Sequence, residues 1–196
     1  MILSIIIPYH NEGQEKINPL LQSINGQIGI DLDKVEIIIV NDCEEPKELK
    51  FGVYNNIRNI KQIKSTHLNN PGLSRQTGLD NAQGSYIMFC DSDDILASYF
   101  VLKDSFDFIV KANADIYNLN FLEEIMSNNR FEYITKGANI TWVFSKIYKR
   151  EFLQSNNIRF TKDLLYHEDT YFNGLCVGCK ARSLIIPITG YVWKYN

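Results

Sequence analysis

Three short apolar runs, Leu3–Ile7, Val35–Val40 and Tyr86–Cys90, are nearly continuous rather than alternating. A strand covered on one face alternates apolar and polar residues, whereas one covered on both faces does not. The runs therefore read as parallel strands packed on both sides. Each ends abruptly in polar residues: Pro8-Tyr9-His10-Asn11-Glu12, Asn41-Asp42-Cys43-Glu44 and Asp91-Ser92-Asp93-Asp94. Ile17, Leu20, Leu21 and Ile24 fall at helical spacing within 14–27, and a second helix is predicted over 72–82, after the turn signal Pro71-Gly72. A weaker strand, Ile60–Thr66, lies between. The order reads β-α-β-α-β-α-β, which predicts an α/β fold with a mostly parallel central sheet flanked by helices. In open sheets of this kind ligands bind beyond the carboxyl ends of the strands. The three polar clusters are thus expected to converge on one crevice.

The later half is less regular. A helix is predicted over 97–112, a strand over Asp115–Phe121, a polar, turn-rich stretch over 122–140, and short helices over Ser145–Leu153 and Glu168–Val177. Residues 181–195 carry β-formers interrupted by Pro187 and Gly190. The abrupt end after Trp193-Lys194-Tyr195-Asn196 suggests a C-terminal extension beyond this chain. With 196 residues, 45% of them hydrophobic, the chain can bury a core as a single domain. A net charge of −3 argues against a basic nucleic-acid-binding surface. No apolar run approaches the ~20 residues of a membrane span. Cys176 and Cys179 have CxxC spacing, but a zinc site needs a second pair, so they read as two ordinary buried thiols.

The strand ends carry the chemistry. Three carboxylates within Asp91–Asp94 repel one another, and a hard divalent cation, Mg²⁺ or Mn²⁺, relieves that repulsion. Asp91 and Asp93 would share a side if extended; a solvated helix cap is the competing reading. Asp42 can accept from a base N–H or serve as a turn residue. Pro8 and Tyr9 end the first strand, where Pro stops further pairing. Arg75 in the first turn of the second helix gains nothing from the helix dipole, so an anionic partner is the functional reading and a surface Arg the plain one. Asp169 follows His167-Glu168 at a late helix start, as a cap or as a general base at the crevice rim.

Together the segments Ser4–Glu12, Ile39–Asp42, Pro71–Gly78, Gly84–Asp94, Ser145–Arg150 and His167–Phe172, in that order, resemble the motifs of family-two glycosyltransferases of the GT-A fold. The resemblance covers nearly the whole chain. It implies one catalytic domain over 1–196, with a nucleotide-binding half (1–95) and an acceptor-side half (96–196). It implies inverting transfer from a nucleotide-sugar, usually a UDP-sugar, to an acceptor hydroxyl on a glycan, glycolipid or teichoic acid. Pro8, Tyr9, Glu12, Asp42, Arg75, Asp91 and Ser92 would then border the nucleotide. Asp91 and Asp93 would hold Mn²⁺ or Mg²⁺, and Asp169 would be the general base. Lys146 and Tyr148 lie in a recurrent segment with no assigned role. The expected location is cytoplasmic, or peripheral at the inner face of the membrane. The chain departs from the family at Asn41-Asp42-Cys43-Glu44, where Asp-Asp-Gly-Ser is usual, and at Arg75-Gln76, where Arg-Asn is common. A sugar nucleotidyltransferase and a non-catalytic binding module are the alternatives. The first usually opens with a Gly-rich basic loop, which Pro8–Glu12 lacks.

Overall fold

The computed structural model describes residues 1–195. It is a mixed α/β fold built on one curled sheet of nine strands. The three apolar runs form β1 (Leu3–Tyr9), β2 (Val35–Asn41) and β4 (Tyr86–Phe89), and β3 is Asn59–Lys64. These four are parallel, in the order β3-β2-β1-β4. Every residue of β2 is buried, as a doubly covered strand requires. Helices α1 (Gln14–Asn25) and α2 (Pro71–Asp80) lie where the spacing predicts. Between β2 and β3, however, no helix forms; residues 42–58 cross as irregular chain.

Helix α2 packs directly on the sheet, and Gly78 permits it. A Cβ there would stand 2.3 Å from the Ile6 side chain. Pro8 is tolerated inside β1 for a positional reason. The Cys90 N–H donates to the Ile6 carbonyl, so even-numbered residues of β1 turn toward β4. Pro8 falls beyond the last β4 residue, where no ladder bond is lost.

The second half corrects several expectations. The helix predicted over 97–112 shortens to α3 (Val101–Ile109), preceded by a two-residue strand, β5 (Ile95–Leu96). The predicted strand at Asp115–Phe121 runs on as β6 (Ile116–Ser127), and the turn-rich stretch forms β7 (Arg130–Lys136), an antiparallel hairpin with β6. The predicted helix over Ser145–Leu153 is a strand, β8 (Lys146–Lys149), then a short helix, α4 (Arg150–Ser155). Strand β8 slots antiparallel between β4 and β6. Helix α5 (Glu168–Gly178) agrees with its prediction. Residues Ser183–Trp193 form one strand, β9, despite Pro187. Its pairing with β6 skips from Ile186 to Thr189, so Pro187 sits in a bulge. Of the CxxC pair only Cys176 is buried; Cys179 is exposed, and both are free. Among the described residues no helix is long and apolar enough to cross a membrane.

Candidate active site

The carboxyl ends of β1, β2 and β4 open onto a cavity of about 530 Å³. Pro8, Tyr9, Glu12, Asp42, Arg75, Asp91, Ser92 and Asp93 all line it. Every residue expected to border the nucleotide or the metal therefore meets there. A second cavity of about 740 Å³ adjoins it, lined by Glu168, Asp169, Trp142, Phe144 and Tyr166 among others. The two share Asn69, Pro71, Arg75, Asp91 and Trp193.

Local hydrogen bonds fix the groups at the strand ends. Glu12 accepts from the His10 N–H (2.7 Å) and from Ser92 Oγ (3.3 Å), tying the β1 and β4 ends together. The Tyr9 hydroxyl accepts from the Gly13 N–H at 2.9 Å. Asp42 is buried, and both its oxygens are engaged. Oδ1 meets His10 Nδ1 at 2.5 Å; Oδ2 accepts from the Asn70 N–H (3.0 Å) and Ser74 Oγ (3.3 Å). The Asn70 side chain in turn caps α2 through the Leu73 N–H. Asp42 thus docks the start of α2 against the end of β2.

Two groups could hold a metal. His10, Asp42 and Cys43 each offer a ligand atom within 4.8 Å of the others. Those of Asp42 are already occupied by the bonds above, and burial together with Asp42 and Glu12 pushes the Cys43 thiol up, away from thiolate. Asp91 and Asp93 suit a hard cation better: both are hard carboxylate donors lining the cavity. They lie on a tight turn closed by the Asp94 N–H and the Asp91 carbonyl (3.3 Å), not on an extended segment. The third carboxylate, Asp94, turns inward. It accepts from the Lys194 N–H at 2.8 Å, and burial, then Asp91, pushes it up to about 8.

Arg75 joins the two cavities. Its guanidinium is buried and reaches Asp91 Oδ1 at 2.7 Å, Glu168 Oε1 at 2.9 Å and Asp169 Oδ1 at 3.2 Å. Burial alone would weaken its hold on the proton, but the three carboxylates outweigh that and raise it further. The anionic partner expected for Arg75, a phosphate or a carboxylate, is supplied by carboxylates of this chain, and through them Arg75 bridges the acidic turn after β4 to the acidic start of α5, 93 positions away.

Asp169 is not a helix cap. The N-cap position of α5 is His167, with φ 62° and no side-chain cap bond. Asp169 Oδ2 accepts from the Val143 N–H at 3.0 Å. Burial pushes its carboxyl up to about 6, with Arg75 pulling the other way. Of the groups that hold this segment, sequence reasoning noted Lys146 without a role and missed Asn173. Asn173 Nδ2 reaches the carbonyls of Thr141 (3.2 Å) and Trp142 (3.1 Å), and Lys146 Nζ donates to the Trp142 carbonyl. Burial brings Lys146 down to about 8, with Asp169 opposing. Trp142 and Trp193 were also missed, although they are the only two tryptophans of the chain.

The sequence model described as "Glycosyl transferase family 2" matches residues 4–173. A poly(ribitol-phosphate) beta-N-acetylglucosaminyltransferase, TarS, of Staphylococcus aureus is 28% identical over 186 residues, covering 88% of this chain and 32% of its own length. The chain thus spans about a third of that relative. Crystal structures of S. aureus TarS 1-349 with UDP and with UDP-GlcNAc superpose with TM-scores of 0.82 and 0.80. They are 24% and 22% identical, and each match covers all of this chain and 61% or 59% of the other. At that identity they establish the shared fold.

Proposed function

The chain belongs to glycosyl transferase family 2, and on that premise we propose that it moves a sugar from a UDP-sugar to an acceptor hydroxyl with inversion. One observation carries the reading: the acidic turn Asp91–Asp93 and the carboxylate of Asp169 face adjoining cavities across a single buried guanidinium. In this reading residues 1–95 hold the donor and 96–196 the acceptor side, with Trp193 at their junction. That S. aureus TarS was crystallised with UDP and UDP-GlcNAc supports a uridine donor.

The chain's own groups then divide the work. Pro8, Tyr9, Glu12, Asp42 and Ser92 shape the nucleotide pocket. Asp91 and Asp93 would hold a divalent cation, Mn²⁺ or Mg²⁺, which would supply positive charge against the departing diphosphate. Asp169 accepts the proton of the acceptor hydroxyl as that oxygen bonds to the anomeric carbon. The bond from that carbon to the diphosphate breaks, and its electron pair leaves with the nucleoside diphosphate. A single displacement inverts the centre. The acceptor is a glycan, glycolipid or similar hydroxyl-bearing molecule.

Two results test the donor half. Donor turnover should vanish with chelator and return with Mn²⁺ or Mg²⁺, and Asp93→Ala should lose metal-dependent UDP binding in calorimetry while melting normally. Full turnover in excess EDTA would sink the metal assignment. UDP should also bind more tightly than GDP or ADP with Mn²⁺ present. Tighter binding of GDP would remove uridine from the reading and leave the transferase standing.

A further inference from the structure

The cavity beside Asp169 has an aromatic wall that the donor chemistry leaves unused. Trp142 stands at its rim, 37% exposed. Phe144 stacks on Trp142 with ring centroids 5.9 Å apart and planes at 9°, and Tyr191 stacks on Phe144 at 4.9 Å and 11°. Trp193 leans on Trp142 at 5.4 Å and 47°. Parallel, offset rings of this kind are the favoured stacked geometry.

The wall is pinned at both ends to the reacting groups. The Tyr191 hydroxyl accepts from the Asp91 N–H at 2.8 Å. Val143, next to Trp142, donates its N–H to Asp169. Asn173 and Lys146 hold the Trp142 carbonyl from behind. The backbone carrying the indole is therefore held at a fixed place relative to Asp169, and the partly exposed indole lines the cavity with some of its apolar surface open. A rigid aromatic surface beside a few polar groups is the usual composition of an organic ligand site.

Charge narrows the ligand. Asp91, Glu168 and Asp169 line this cavity, and among the described residues Arg75 is its only Lys or Arg. Arg75 already pairs with all three carboxylates. A phosphate bound here would meet three carboxylates with no Lys or Arg to spare and only the His167 imidazole besides, the cation on Asp91 and Asp93 being taken up by the donor diphosphate, which disfavours it. A neutral sugar ring has an apolar C–H face and a hydroxyl edge; the first matches the indole and the second the carboxylate. We infer that Trp142 and Trp193 form the acceptor subsite, and that the group seated there is a neutral sugar ring rather than a phosphate-bearing polyol. This rests on the transferase reading above.

Because the chain has only two tryptophans, both in this wall, its tryptophan emission reports on the wall, and saturation with UDP beforehand holds constant the contribution of Trp193 from the adjoining cavity. The protein, saturated with UDP and Mn²⁺, is titrated with the methyl glycosides of glucose, galactose and N-acetylglucosamine, and separately with glycerol-phosphate oligomers. A neutral glycoside should shift the emission saturably. Trp142→Ala should weaken that binding about tenfold, read through the remaining Trp193, while Trp142→Phe should stay within about threefold of the parent. Calorimetry of UDP on the same samples separates the two readings. Intact UDP binding with no saturable response to any glycoside, or a response to the phosphate oligomers alone, overturns the neutral-sugar subsite only. Absent UDP binding in the parent overturns the donor reading and this one with it.

Discussion

Asp169→Asn is expected to abolish sugar transfer while leaving the fold and the affinity for UDP with Mn²⁺ intact. Loss of a general base typically slows the reaction by roughly 10²–10⁴-fold. Loss of a helix cap would instead cost about 1 kcal/mol of stability and little chemistry. The structure separates the two roles, since Asp169 caps nothing: its carboxylate meets the Val143 N–H and Arg75. An Asn oxygen can keep the Val143 bond but cannot take the acceptor proton. Stability should move the other way from a lost cap. With its pKa raised from 3.8 to about 6, Asp169 favours the fold most while protonated, below 3.8, and that contribution is lost as pH rises through about 6. The Asn variant stays neutral, so it should melt no lower than the parent at pH 7, and its melting temperature should vary less between 3.8 and about 6. In the parent, transfer should rise with pH through about 6 and then level off. Glu168→Gln should be milder, because Glu168 meets Arg75 rather than the acceptor side of the Val143 segment. A transfer assay beside thermal melts on both variants decides this. Transfer by Asp169→Asn within a few-fold of the parent would mean that the base lies elsewhere.

The first half of the chain was readable in the sequence because burial on both faces leaves a plain mark. Ile5–Ile7 and Ile37–Val40 admit no polar residue, so the polar residues after them had to be strand ends. The hairpin of β6 and β7 left no such mark. Strand β7 is exposed along nearly its whole length, its polar-apolar alternation over Arg130–Tyr133 stops at Ile134, and Glu123, Glu124, Asn128 and Asn129 read as loop. Its tip is nonetheless a regular feature, a two-residue turn with Asn128 and Asn129 both at positive φ (49° and 59°), which suits the twist of a hairpin. Strand β8 was mistaken for helix because four residues hold too little pattern to tell the two apart. At the site, residue types were legible and partnerships were not. The sequence pointed to an anion for Arg75, but only the fold shows that three carboxylates of this chain supply it. Trp142 and Trp193 carry no motif, and their stacking depends on β9 lying beside β6 and the segment before β8.

Arg75→Met is expected to cost about 3 kcal/mol of stability, because removing one partner of a buried ionic cluster strands the others. The side chain is 6% exposed, and its partners Glu168 and Asp169 are 15% and 11% exposed. Without the guanidinium, Asp169 loses the charge that does most to hold its carboxyl down, and it should rise beyond about 6. Its ionisation then opposes folding over a wider range, so the deficit against the parent should be large at pH 8 and smaller at pH 5. Urea melts at the two pH values read this directly. Arg75→Lys should fall between, since one ammonium cannot span Asp91 and Glu168 as the two guanidinium nitrogens do. The double variant Arg75→Met with Asp169→Asn should recover part of the loss, because one stranded charge is gone with the cation. A pure phosphate ligand would behave differently: with no nucleotide present, its removal would leave the melt unchanged or raise it, and the double variant would show no recovery. That outcome would assign Arg75 to a phosphate alone and break the link between the acidic turn after β4 and the Asp169 carboxylate on α5.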